Sequence, residues 1–348
     1  MHSEHSHTCF GPEKSINITC ANFNYSTGAG NAEICNPVQY VERGNAGTIY
    51  CSFREDSHGI YWYDTSDVTE HPMFYLEDKV KSGEGFSSGE FDVHANGSLT
   101  INNVSLSHDH NFTVLQLQTA DSNPIVLTIQ VVVTVHPTLP YPFIPLCNGT
   151  RYCYHYAKDS SPFVCFVNKT RPLMQLSWNL RTSNDEHEVV FHTKSIQDGE
   201  VFTTLITVSE SVVNYINFQL LVCKATPGEA SLINEDALLL IELHSPKVNF
   251  SEAVVENHPI NKTISLPCSI DESLFFVWKR RINGTHFKLL AHGSYGNTVC
   301  ESNQYSLKSK NALLIPFPSD ELEGIYVCFY GNGTDEEMSV YNVSISGK

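Results

Sequence analysis

Three residues recur in one order at one spacing: Cys165, Trp178 and Cys223, and then Cys268, Trp278 and Cys328, which begins 103 residues further on. In each set a Trp follows the first Cys by 13 or 10 residues, and the second Cys follows the Trp by 45 or 50. That spacing fits a β-sandwich in which a disulfide joins two sheets and an indole packs against it. An incomplete copy lies upstream, with Cys51 and Trp62 in place and Val114 where the second Cys would stand. The expectation is an all-β chain of three tandem sandwiches.

The 348 residues are too many for one ordinary domain and suit three of roughly a hundred each. With 38 acidic against 21 basic residues the net charge is -17, which argues against nucleic acid or an anionic membrane surface as partner. Sequons of the N-x-S/T type stand at Asn17, Asn24, Asn96, Asn103, Asn111, Asn148, Asn168, Asn249, Asn261, Asn283, Asn332 and Asn342, beside 11 cysteines. Together they point to an oxidising, glycosylating route and an extracellular protein. Residues 1–30 lack the apolar run of a signal peptide, and no stretch is long and apolar enough to span a bilayer. The chain therefore reads as a trimmed ectodomain, anchored beyond Lys348.

Proline-bearing junctions at 136–145 and 244–247 divide the sequence into a variable-type sandwich at 31–135 and two further sandwiches at 136–243 and 244–348, after an N-terminal extension at 1–30. Four prolines within 136–145 predict a stiff spacer, and with it domains strung out rather than folded together. In the first sandwich the pattern predicts strands at 47–53 (B), 59–63 (C), 73–76 (C′), 90–93 (D), 98–104 (E), 112–117 (F) and 125–135 (G). Alternation puts Ile60 and Trp62 inward and Tyr61 and Tyr63 outward. The second and third sandwiches fit a shorter set, with E strands at 201–208 and 312–315.

Gly-Ile-Tyr-Trp-Tyr63, Asn96-Gly-Ser-Leu-Thr-Ile-Asn-Asn-Val104 and Glu323-Gly-Ile-Tyr-Val-Cys328 resemble the immunoglobulin superfamily over residues 31–348. The last run looks like its strand F signature, with Leu322 where an acidic residue is usual and Tyr326 as the tyrosine corner. The first domain resembles variable-type domains of invertebrate cell-surface receptors, those of lancelets, echinoderms and the allorecognition systems of colonial animals. The resemblance implies Cys165–Cys223 and Cys268–Cys328 disulfides and a receptor for immune, adhesive or self/non-self recognition. Two departures stand out: His110 replaces the strand F Gly, and Val114 replaces the bridging Cys. Cys51 is then free or bonded elsewhere; Cys35 is the first choice, leaving Cys9 for Cys20, although four cysteines allow three patterns. Cys147 and Cys153 would close a small loop. Cys300 is left over, as a buried thiol or as a link between two chains.

Candidate chemistry is sparse. His2, Glu4, His5, His7 and Cys9 resemble a metal tract, but a frayed terminus explains them without a metal, and His108-Asp109-His110 falls in the E–F turn, where polar residues are ordinary. With no phosphate loop, nucleophile elbow or CxxC in the sequence, neither catalysis nor a cofactor is expected. Lys279, Arg280 and Arg281 could meet an acidic partner or form a solvated strand end.

Recognition has more support. If Val114 points inward, Leu115 and Leu117 point outward on the GFCC′ sheet, beside Tyr61, Tyr63 and one or two of Phe74, Tyr75 and Leu76. An apolar, aromatic outer face marks an interface, unless the extension or a neighbouring domain covers it. The sequons are expected to leave this sheet bare and to crowd the third domain as a stalk. The chain thus reads as an adhesion or recognition ectodomain that binds a protein, with a second copy on an opposing cell or in a homodimer favoured. A soluble secreted binder, such as a decoy or pattern-recognition protein, is the alternative, and adhesion spread along an array is a third class.

Overall fold

The computed structural model describes residues 34–346 apart from 54–58, 66–67, 69–70, 118–123, 158–161, 183–184, 190–191, 210–216, 227–231, 234, 245, 260–261, 269–273, 285, 295 and 333. Cys9, Cys20, the N-terminal His/Glu tract and the sequons at Asn17, Asn24 and Asn261 lie outside the described residues.

The first sandwich contains β1 (Val38–Glu42), β2 (Gly47–Ile49), β3 (Gly59–Tyr63), β4 (Phe74–Glu77), β5 (Val80–Ser82), β6 (Phe91–Val93), β7 (Leu99–Ile101), β8 (Asn111–Leu117) and β9 (Ile125–Thr134). One sheet has the order β1-β9-β8-β3-β4-β5 and the other β2-β7-β6. β1 runs parallel to β9, and all other neighbours are antiparallel. The core follows from strict alternation: Ile60, Trp62, Phe112 and Val114 on one sheet and Ile49, Leu99 and Ile101 on the other are all buried. The Trp62 indole donates to the Gly97 carbonyl at 3.1 Å. Gly97 has φ +84°, and a Cβ there would stand 2.2 Å from the Phe53 ring, so only glycine fits this turn. Strand B ends at Ile49, short of the expected Phe53, because the Ser98 hydroxyl takes over the ladder, accepting from the Cys51 N–H at 3.0 Å and donating to its carbonyl at 3.1 Å.

The second sandwich comprises β10 (Tyr152–Tyr156), β11 (Phe163–Thr170), β12 (Gln175–Arg181), β13 (Glu186–Glu188), β14 (His192–Asp198), β15 (Val201–Val208), β16 (Phe218–Thr226) and β17 (Ala237–Glu242). Its sheets are ordered β10-β17-β16-β12-β13 and β11-β15-β14. The third comprises β18 (Val254–Pro259), β19 (Ile264–Leu266), β20 (Phe275–Asn283), β21 (His286–Ser294), β22 (Asn297–Cys300), β23 (Ser306–Leu307), β24 (Leu313–Ile315), β25 (Gly324–Gly331) and β26 (Glu336–Ser346), ordered β18-β26-β25-β20-β21-β22 and β19-β24-β23. The third domain therefore does not carry the shorter set expected of it. The β21–β22 hairpin adds a sixth strand, and free Cys300 ends it, exposed rather than buried.

The domains are not strung out. The outer faces of β16, β17 and β10 pack on those of β20, β25 and β26, burying Tyr152, Phe218, Leu220, Val222, Leu238 and Leu240 against Leu274, Phe275, Val277, Val327, Phe329 and Val340. The Phe218 ring lies 5.5 Å from Phe275 and 5.4 Å from Phe329. Polar groups frame this layer: Glu336 accepts from Asn217 Nδ2 at 2.8 Å and from the Phe218 N–H, and Lys279 is bonded to Glu242. The second sandwich also meets the first, where Arg171 grips Asp109 at 2.6 Å and pairs with Val135 through two backbone bonds. The prolines at 136–145 constrain only the local backbone. Packing is decided by the apolar faces, which are too extensive to leave in water.

Candidate functional site

Residue by residue, the outer face of the first domain's larger sheet is as follows. Tyr61 on β3 sits opposite Leu115 on β8 and Tyr75 on β4; Leu115 in turn sits opposite Val126 on β9, and Leu117 opposite Gly59. Directly opposed side chains on one face have Cβ atoms about 5 Å apart, so these residues form one continuous band. The Tyr61 and Tyr75 rings stack at 5.9 Å and 21°. The Tyr61 ring lies over Gly59, where a Cβ would stand 2.7 Å from it. Its hydroxyl bonds Glu77; burial and then that carboxylate push the phenol up from its ordinary value. Leu117 is 38% exposed, Val126 47% and Val80, on the edge strand β5, 65%. Val126 and Val80 were missed by sequence reasoning, although the alternation of 125–135 already placed Val126 opposite inward Leu127.

Two expected members do not belong to the surface. Phe74 is wholly buried, because it pairs with Trp62 on the inward side of the sheet and meets Phe86 edge to face. Tyr63 has the outward parity but is buried, as is its neighbour Thr113. Burial also pushes the Tyr63 phenol up from its ordinary value. The accessible band is Tyr61, Tyr75, Leu115, Leu117 and Val126.

Asn96 and Asn103 are exposed and flank β7, on the opposite sheet. Asn111 is not at a turn but is the first residue of β8, exposed, paired with Gln130 and on the same face as Leu115. The sheet is therefore not wholly free of sequons. At about 3.3 Å per residue, four residues place Asn111 about 13 Å from Leu115, towards the junction with the second domain.

Elsewhere the candidate clusters dissolve into structural roles. His108 is buried, accepts from the Ser105 N–H at 2.9 Å and meets Glu90 at 3.0 Å; Asp109 serves Arg171; His110 stacks on Phe112 at 4.4 Å. Lys279 is no solvated strand end but meets Glu242. Arg280 donates to the Glu321 and Glu323 carbonyls, and Arg281 lies 4.2 Å from the centroid of the Phe250 ring. Among the described residues no group of three or more His, Cys, Asp or Glu is arranged to hold a metal, and no helix is long and apolar enough to cross a membrane.

Disulfides join Cys165 to Cys223 and Cys268 to Cys328 across the two sheets of the second and third sandwiches, with Trp178 and Trp278 buried beside them. The Tyr326 hydroxyl donates to the Leu322 carbonyl four residues upstream, the tyrosine corner. Each fold unit is an immunoglobulin-type sandwich. Cys35–Cys51 ties the first domain's entry to the segment just after its second strand in place of the missing cross-sheet bond, and Cys147–Cys153 closes a loop across a sequence separation of 6. No family model matches the sequence, and no curated protein does. Among solved structures the chain is similar to the extracellular portion of mouse CD200RLa, at 15% identity and TM-score 0.38 over 60% of this chain and 100% of that one. It is similar also to the three-domain ectodomain of mouse nectin-like molecule 4, at 12%, 0.36, 90% and 99%, and to bovine butyrophilin, at 15%, 0.38, 59% and 94%. The fold assignment rests on the chain's own sheet order, disulfides and indoles.

Proposed function

We propose that this chain is the extracellular part of a recognition or adhesion receptor, and that it binds a protein through the band Tyr61, Tyr75, Leu115, Leu117 and Val126. The observation that carries the reading is the contrast among three equivalent faces. The larger sheets of the second and third domains bury their outer faces against each other, whereas on the corresponding face of the first domain Leu117, Val126 and Val80 are exposed among the described residues. An exposed apolar patch on an otherwise satisfied sheet is expected to be an interface. A second copy of the chain is the favoured occupant, since a flat apolar face can be self-complementary about a two-fold axis. Four disulfides among the described residues support an oxidising compartment. The same proposal gives it a role in immune or self/non-self recognition.

A glycan wedge tests it. Val126→Asn creates the sequon Asn-Leu-Thr with the existing Leu127 and Thr128, placing a sugar in the band. Beads coated with the whole chain should aggregate, and the glycosylated variant should not. Aggregation that survives occupancy of the new site refutes the face; wild-type beads that stay dispersed refute the second copy as occupant.

A further inference from the structure

Among the polar contacts set against the apolar layer between the second and third domains is one buried ion pair. Glu242, at the end of β17, has a side chain with no exposure, and the side chain of Lys279 on β20 is 10% exposed. The ammonium is bonded to Glu242 Oε2, which also accepts from the Tyr154 hydroxyl. Three aromatic rings surround that ammonium, Tyr154 and Phe218 at 5.8 Å and Phe329 at 5.9 Å. Glu242 Oε1 has no hydrogen-bond partner. Burial lowers the lysine's pKa, against the pull of the carboxylate.

A buried pair with an orphaned oxygen is a poor way to stabilise a layer that leucines could fill, because desolvating two charges offsets most of their attraction. It is an effective way to choose partners. Each of these faces is apolar, and an apolar sheet face can meet a copy of itself on another chain. We propose that Glu242 and Lys279 select the partner of each face, so that the second domain's face accepts a third-domain face and rejects its own kind. Two second-domain faces brought together would bury two Glu242 carboxylates, and two third-domain faces two Lys279 ammonium groups, each without the counter-charge it meets here. The pair keeps these sheets engaged within the chain and leaves the first domain's face for outside partners.

Charge reversal tests this in the whole chain, in a Leu115→Asp, Leu117→Asp background that silences the first domain. Glu242→Lys alone and Lys279→Glu alone should each undock the two domains, raising the radius of gyration in small-angle scattering. Both reversals in one chain should restore the wild-type value. An equimolar mixture of the two single variants should form a 1:1 complex in analytical ultracentrifugation, since the second-domain face of each then carries the charge opposite to the third-domain face of the other, while neither variant alone dimerises. A single reversal that leaves scattering unchanged, a double reversal as expanded as the singles, or a mixture without complex would overturn the proposal.

Discussion

Phe218 separates docking of the second and third domains from folding of either. It is wholly buried, yet it points out of its own sandwich and into the third, between Phe275 and Phe329. Leu221, three residues on in the same strand, points the other way, into the core that holds Cys165 and Trp178. Truncating a buried Phe to Ala costs about 3 to 5 kcal/mol, and each well-placed aromatic pair lost accounts for about 0.5 to 1.5 kcal/mol of that. Phe218→Ala should take this loss from the interdomain layer alone. In calorimetry the wild-type pair should unfold as one transition. The variant should show two, with the disulfide-tied cores still cooperative and the scattering radius increased. Leu221→Ala, at about 2 to 5 kcal/mol, should instead lower the melting of the second domain. If Phe218→Ala and Leu221→Ala give the same single, shifted transition with unchanged scattering, the layer is not a separable contact and the reasoning fails.

Three further outcomes follow from named groups. His292 is buried between Tyr152, at 3.0 Å, and Glu301, at 3.2 Å; burial pushes its pKa below the ordinary value of 6.5, with Glu301 opposing. The unfolded chain then takes up a proton below about pH 6.5 that the folded one resists, so stability should fall as pH drops through that value, and a denaturation series with His292→Gln should flatten the slope. Glu186 is buried enough to favour its neutral form, but hydrogen bonds from Lys224, Asn179 and Arg181 outweigh this and hold it below the ordinary carboxylate value. Its contribution should be present above that value and be lost as pH falls through the lowered one, an acid-limb dependence that Glu186→Gln removes in urea titrations at graded pH. Replacing both Cys165 and Cys223 by Ala should cost about 2 to 5 kcal/mol by denaturant midpoint, whereas Cys300→Ser, at an exposed strand end, should leave the midpoint unchanged.

What the sequence discloses depends on how many sides a strand buries. β7 buries one face and β3 leaves Tyr61 half-exposed between buried Ile60 and Trp62, so alternation gave Trp62 and Leu99 to the core. Tyr326 was legible because the corner hydrogen bond is a local geometry with its own motif. β16 and β17 are buried on both sides, and their apolar runs, Leu220 to Cys223 and Ala237 to Ile241, lose the period-two signal that tells inner from outer. Those continuous runs were the sign that something covers the outer face, and they carried more weight than the prolines. At the candidate site the same parity rule found Tyr61, Leu115 and Leu117. It failed at Phe74, where a one-residue choice of register flips a side chain to the other face. It also failed at Tyr63, where parity is right but exposure depends on tertiary cover that no local pattern records.

The central claim, that the first domain's outer face is an interface and not part of a covered core, is tested most directly by measuring binding and melting together on one variant. Leu115→Asp with Leu117→Asp places two carboxylates on the band, where a partner would have to bury them unpaired. In the free chain Leu117 is exposed and Leu115 half-buried, beside exposed Val126. The account predicts that binding to the second copy is lost while the melting temperature stays within a few degrees of wild type. A variant that melts far lower, or that melts normally and still binds, would contradict it.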